Sequence, residues 1–171
     1  MAGCRTLRRL KVLAALACAA GIGGCAADPR PCVSLTAYVP GAKDGQRLLA
    51  VPVANAAAEF SLTYVHSVTR TPVTEIYQVT PDGLVQTAIR FEQHGPGLPT
   101  APGPGERWVS RDNGFDVTMR RPLESVVIRV NGDQAPRIAI DGRTFDLAQW
   151  GNRPLVLDAG LRASCAPEPA R

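Results

Sequence analysis

Several residue patterns from which a function is usually read are missing. The chain has two histidines in 171 residues, and no His-x-His or Cys-x-x-Cys spacing, so a metal centre has little to be built from. No Gly-x-Ser-x-Gly turn occurs to display a nucleophilic serine. The glycines of "GPGLP" (95–99) lack the lysine and the strand-to-helix setting of a phosphate loop. Aromatic residues make up 5% of the chain and no basic stripe is interleaved with them, which removes the footprint of nucleic-acid binding. Beyond the N-terminal region no stretch approaches the roughly 18 apolar residues of a membrane span. Little of the chain reads as helix, and there is no internal repeat.

What is present begins with an address. Arg5, Arg8, Arg9 and Lys11 form a basic region, a short apolar stretch follows, and small residues lead to Cys25, which is the layout of an export signal. Ile22, Gly23 and Gly24 before Cys25 resemble a bacterial lipobox, in which a peptidase cuts just before a cysteine that carries lipid. Residues 1–24 are then the signal and 25–31 a short linker from lipidated Cys25. The chain is expected on the periplasmic side of the envelope, held to the membrane by its lipid. Ala26, where an aspartate marks inner-membrane retention, favours the outer membrane of a Gram-negative cell. Cleavage after Ala27 instead would release a free protein. The signal also carries the charge excess: of 19 Lys+Arg against 15 Asp+Glu, four bases and no acid precede Cys25, so the remainder is balanced and the basic pI says nothing of a partner.

Of five cysteines, Cys4 and Cys18 leave with the signal and Cys25 is taken by lipid. Cys32 and Cys165 remain, an even pair that in an oxidising compartment reads as a disulfide between the two ends of the domain. The other possibility is two free thiols on loose termini.

Residues 32–171 suffice for one domain with one core. Short apolar or alternating runs recur ("FSLTYVHS", "TEIYQVT", "LVQTAIRFEQ", "RWVS", "FDVTM", "SVVIRV", "RIAI", "TFDL"), separated by "PDG", "DNG", "NGD" and "DG". This predicts an all-β fold, a single mostly antiparallel β-sandwich or barrel-like domain. Asp141-Gly142 suits a type I′ turn between two alternating strands. The segment "GPGLPTAPGPGE" (95–106) reads as a surface loop, because its prolines remove ladder donors. The one helical candidate is a short turn near Ala54–Ala58.

The stretch "YVHSVTRTPVTEIY" (64–77) carries the candidate site. With Arg70 and Thr71 at the tip of a two-residue turn, His66 faces Glu75, Tyr64 faces Tyr77, and Phe60, Leu62, Tyr64 and His66 share a face with Glu75, Tyr77 and Val79. A carboxylate beside an imidazole supports its charged form and fixes its tautomer. The pair is therefore either scaffold, with the tyrosine hydroxyls completing a network, or a contact for ligand or partner. Arg70, with His66 and Arg90, suits a carboxylate, unless it is simply a solvated turn residue. His94 is placed beside the hairpin by the Pro/Gly loop. His66, Glu75 and His94 lack metal-ligand spacing, so neither metal nor cofactor is assigned. Ser67 follows His66 on the opposite face, so no catalytic residue is assigned either.

The same stretch with "DGLVQTAIRFEQHGPGLP" resembles a bacterial family of domains of unknown function, numbered 1850. The shared pattern falls on Tyr64, His66, Ser67, Thr71, Pro72, Val73, Glu75, Tyr77, Gly95, Gly97, Leu98 and Pro99, and the early "CVSL" and late "IDGRTFDL" agree in character. The resemblance implies a small exported or anchored protein, an accessory of TRAP transporters of the TAXI subclass, with transporter subunits or a small organic anion as partner. The expected role is a binding or accessory module using Tyr64, His66, Arg70, Glu75, Tyr77 and His94. Competing classes are a metal-dependent or acid/base enzyme on the same rim and a structural envelope lipoprotein.

Overall fold

The computed structural model describes residues 28–41 and 45–166. The expected signal, Cys25 and the linker up to Ala27 lie outside the described residues. Eleven strands form among those described: β1 (Arg30–Ala37), β2 (Arg47–Pro52), β3 (Glu59–Val65), β4 (Pro72–Thr80), β5 (Gly83–Phe91), β6 (Arg107–Arg111), β7 (Gly114–Leu123), β8 (Val126–Arg129), β9 (Arg137–Ile140), β10 (Arg143–Asp146) and β11 (Pro154–Arg162). β1 thus takes in the last two residues of the expected linker. Short 3-10 turns precede β9 and follow β10, and no described helix is long and apolar enough to cross a membrane.

The strands make two antiparallel sheets, one of four strands in the order β2-β1-β11-β8 and one of seven in the order β10-β9-β3-β4-β5-β7-β6. They pack face to face as a β-sandwich, as the spacing of short strands and turns predicts. Val33, Leu35, Leu155 and Leu157 of the smaller sheet meet Phe60, Leu62, Tyr77, Leu84 and Ile138 of the larger one. Alternation anticipates the seven-stranded sheet and β8. It does not find β2 or β11, because "RLLAVP" and "PLVLDAGLR" lack a clean two-residue period and β11 lies inside its sheet.

Turn chemistry behaves as the sequence predicts at Asp141-Gly142, where both residues have positive φ (48° and 76°) and Ile140 pairs with Arg143. The Asp141 carboxylate also reaches across to the loop before β3. It accepts from the backbone N–H groups of Ala54 and Asn55 and from the Asn55 amide, and the Ala54 N–H foremost holds it below the usual carboxylate range. Ala54–Ala58 is accordingly a turn and not a helix, with Asn55 bonded to both backbone groups of Glu59.

Four strands cannot cover seven. A second apolar cluster, Val73, Ile89, Phe91, Leu98, Val117 and Met119, forms on the part of the larger sheet that the smaller one does not reach. Its lid is the Pro/Gly loop, from which Leu98 is inserted with 7% of its surface exposed.

Cys32 and Cys165 form a disulfide with Cα atoms 5.8 Å apart, closing a separation of 133 residues. It ties β1, the centre of the smaller sheet, to the segment after β11. Replacing both cysteines by serine is expected to lower unfolding free energy by about 3–5 kcal/mol. The check is urea denaturation of parent and variant, with the parent falling to the variant's midpoint under reductant.

Candidate functional site

The hairpin that carries the candidate residues has a different register from the one the two-residue turn predicts. Tyr64 pairs with Val73, Leu62 with Glu75 and Phe60 with Tyr77, and Val65 and Pro72 close the ladder. Residues 66–71 form a longer loop, with Arg70 at φ 59° donating its N–H to the His66 carbonyl. The displacement is an even number of residues, so the faces survive and only the partners change. His66 is therefore not opposite Glu75.

His66 is instead a latch between two loops. Its Nδ1 accepts from the N–H groups of Val68 (3.3 Å) and Thr69 (3.2 Å), so the proton resides on Nε2, which donates to the Pro96 carbonyl at 3.0 Å. The ring is buried, and any side chain at Gly95 would meet it at 2.8 Å. Nδ1 thus fixes the ring within its own loop, and Nε2 holds the Gly95–Leu98 turn, and through it Leu98, against the sheet.

Glu75 has other partners. The Tyr64 hydroxyl donates to Oε1 at 3.0 Å and the Tyr77 hydroxyl donates to Oε2. The tyrosine network expected around the hairpin forms, but around the carboxylate alone. Both phenols are held well above their ordinary range, first by burial and then by the charge and hydrogen bonds of Glu75. Among the described residues, no ion pair involves Glu75.

Along β4 the inner face reads Val73, Glu75, Tyr77, Val79, with Val73 in the second cluster and Tyr77 and Val79 in the first. Glu75 stands in the seam between them. β5 and β7 repeat the pattern: Gln86 lies between Leu84 and Ile89, and Arg121 between Met119 and Leu123. A bulge at Thr87 turns Gln86 and Ile89 to the same face despite their odd separation. Arg121 donates to the Gln86 amide oxygen and to Glu106, 3.3 Å each. The Gly103 N–H is the main cause that keeps the Glu106 carboxyl below its usual range, helped by the Trp108 indole and Arg121. Tyr64, Glu75, Tyr77, Gln86 and Arg121 thus make a polar belt across four strands.

The belt is the floor of an open trough. One compartment, about 660 Å³, runs over Glu75, Tyr77, Gln86, Glu106 and Arg121; another, about 290 Å³, runs over Tyr64, His66 and Glu75. Both are walled by Gly97 and Leu98 on one side and Val126 and Val127 of β8 on the other.

Of the residues singled out in the sequence, Tyr64, His66, Glu75 and Tyr77 meet at this trough. Arg70 and His94 do not line it. His94 stacks on Trp108, packs 4.5 Å from Phe115 and has Nδ1 3.0 Å from the Pro99 carbonyl. Arg90 lies on the outer face beside Asp116 and Arg111, so the proposed grouping of Arg70, His66 and Arg90 is not assembled. Among the described residues no three His, Cys, Asp or Glu side chains are arranged to hold a metal ion. Gln86, Glu106 and Arg121 were missed. A polar residue inside the apolar run "LVQTAI" was the available signal for the first; the bulge that aims it inward left none.

These features define a class: a small, disulfide-closed β-sandwich with a ligand-sized trough where two sheets of unequal width part. A family model described as Domain of unknown function (DUF1850) matches residues 60–147, and the chain belongs to that family. The match spans the seven-stranded sheet and β8, hence the trough's floor and both walls. No curated protein and no solved structure matches the chain.

Two outcomes follow. His66→Ala leaves the Pro96 carbonyl and two N–H groups without partners, and is expected to destabilise by about 1–3 kcal/mol and to speed amide exchange at Leu98; denaturation and hydrogen exchange check this. Folding raises both tyrosine pKa values, so the folded state retains protons that the unfolded chain releases above about pH 10. Stability is full below that pH and falls as pH rises above it. Tyrosinate absorbance of the native protein should lag that of the urea-unfolded chain by two phenols, and Tyr64→Phe should reduce the lag to one.

Proposed function

We propose that this chain is an exported binding module, held to the periplasmic face of a bacterial membrane by lipid on Cys25, that works beside a TAXI-type TRAP transporter. The observation that carries the binding role is the open trough, where a carboxylate with no ion-pair partner among the described residues and an amide-guanidinium pair are presented on a rigid sheet. Concave sites in which a few polar groups converge beside apolar walls are where ligands and partner segments are recognised. The disulfide supports an oxidising compartment, the layout of residues 1–25 supports export and anchoring, and family membership supports the transporter context.

The trough favours a protein segment over a simple anion. Its ionic lining is mixed, with Glu75 and Glu106 against Arg121 and Arg129, and Arg121 is already bonded to Glu106. A small carboxylate entering it would meet Glu75 in the same compartment as Arg129, so the attraction of one is opposed by the repulsion of the other. Recognition of a transporter subunit asks only for complementary groups of both signs.

The experiment is crosslinking capture of the tagged, lipidated protein from its own envelope, with mass spectrometric identification, beside a Glu75→Gln control that removes the charge while its amide keeps an acceptor for one tyrosine hydroxyl and offers a donor to the other. Enrichment of a transporter membrane component or its solute-binding protein, lost in the control, is the expected result. Absence of any transporter subunit from the captured set overturns the accessory role.

A further inference from the structure

The smaller sheet ends at β8, and it ends in an unusual place. β8 pairs with β11 on one side; among the described residues its other side makes no backbone hydrogen bond. That bare edge is a wall of the trough. The next strand position of the smaller sheet is therefore the trough itself, lying over the belt of β4, β5 and β7.

The other three sheet edges carry protection of the ordinary kind. β2 runs from Arg47 to Pro52, β6 has arginine at both ends, and β10 is bounded by Arg143 and Asp146. β8 reads Val-Val-Ile-Arg, with no proline and its single charge at the far end, and Val127 is 54% exposed. An unblocked, apolar edge is a template for another strand.

We propose that the trough is a strand-addition site: an extended segment of a protein partner pairs with the free edge of β8 and sets a lysine or arginine side chain against Glu75. This deepens the binding role given above and rests on it. Main-chain bonds to β8 supply affinity, and the pockets under alternate side chains supply selectivity. The basic residue follows from the carboxylate. Glu75 receives two phenol donors, and an ionised carboxylate has lone pairs for about four. Covering it with an apolar strand would strand a charge away from water, which is strongly unfavourable unless a cation accompanies the cover. A free alkylamine could satisfy Glu75 but would leave the β8 edge unpaired, so the segment fits the whole trough and the amine only part of it.

The test selects short random displayed peptides on the immobilised full chain and synthesises those enriched. The expected peptides carry one lysine or arginine within alternating apolar positions. Replacing that residue by norleucine, or Glu75 by glutamine in the protein, weakens binding by about tenfold or more. N-methylation of every second amide abolishes binding in one frame and is tolerated in the other, since only one set of amides faces β8. Amide exchange of β8 slows in the complex.

Four results overturn the proposal: no peptide is enriched; the enriched peptides need no basic residue; Glu75→Gln binds them equally well; or both N-methylated frames bind like the parent. Butylammonium that binds as tightly as the peptides without slowing β8 exchange would also overturn it, making the trough an amine pocket. Failure here and failure of the accessory role are separable. A transporter subunit captured independently of Glu75 leaves the role standing without strand addition, whereas peptides that bind as described with no transporter subunit captured leave strand addition without that role.

Discussion

A seven-stranded sheet with one apolar face must bury that face, and among the described residues four strands lie opposite it. Everything distinctive in the molecule follows from this mismatch. The smaller sheet covers the inner face around Phe60, Leu62, Tyr77 and Leu84. The rest, around Val73, Ile89 and Val117, is covered by a loop that inserts Leu98. A loop rich in proline and glycine has little secondary structure to fix its position, so it is pinned by particular contacts, and the His66 bridge to Pro96 is the most direct of them.

Two covers that differ in kind leave a seam, and a seam admits water. Polar side chains are tolerable there and nowhere else on the inner face. The sequence places them in that line, one per strand, in Glu75, Gln86 and Arg121. Glu75 is made compatible with partial burial by two phenols, whose hydroxyls are themselves removed from water. Among the described residues the carboxylate forms no ion pair, which is the feature that gives the trough a chemical preference.

The hairpin from β3 to β4 shows how far pattern reading reaches. Alternation assigned Phe60, Leu62, Tyr64, Glu75 and Tyr77 to one face correctly, since it depends only on parity. Register depends on loop length, and nothing in "HSVTRT" distinguishes a two-residue turn from the six-residue loop that forms. The consequence for the site was large: His66 left the strand for the loop, and Glu75 exchanged an imidazole partner for two tyrosines. Gln86 escaped notice for a related reason, because the bulge at Thr87 breaks the parity on which inward and outward positions are counted.

By itself the sequence determined the all-β class, the strands of the larger sheet, the Asp141-Gly142 turn, the pairing of Cys32 with Cys165 and the family. Each of these is local, or, like the disulfide and the family, follows from a count or a linear pattern. Only the tertiary structure decided which strands stand next to one another, that one sheet is wider than the other, and that the gap between them is floored by residues from four strands. Those are properties of how distant segments share a surface. Alternation along one strand records which side faces in, but not what lies on the other side of the gap.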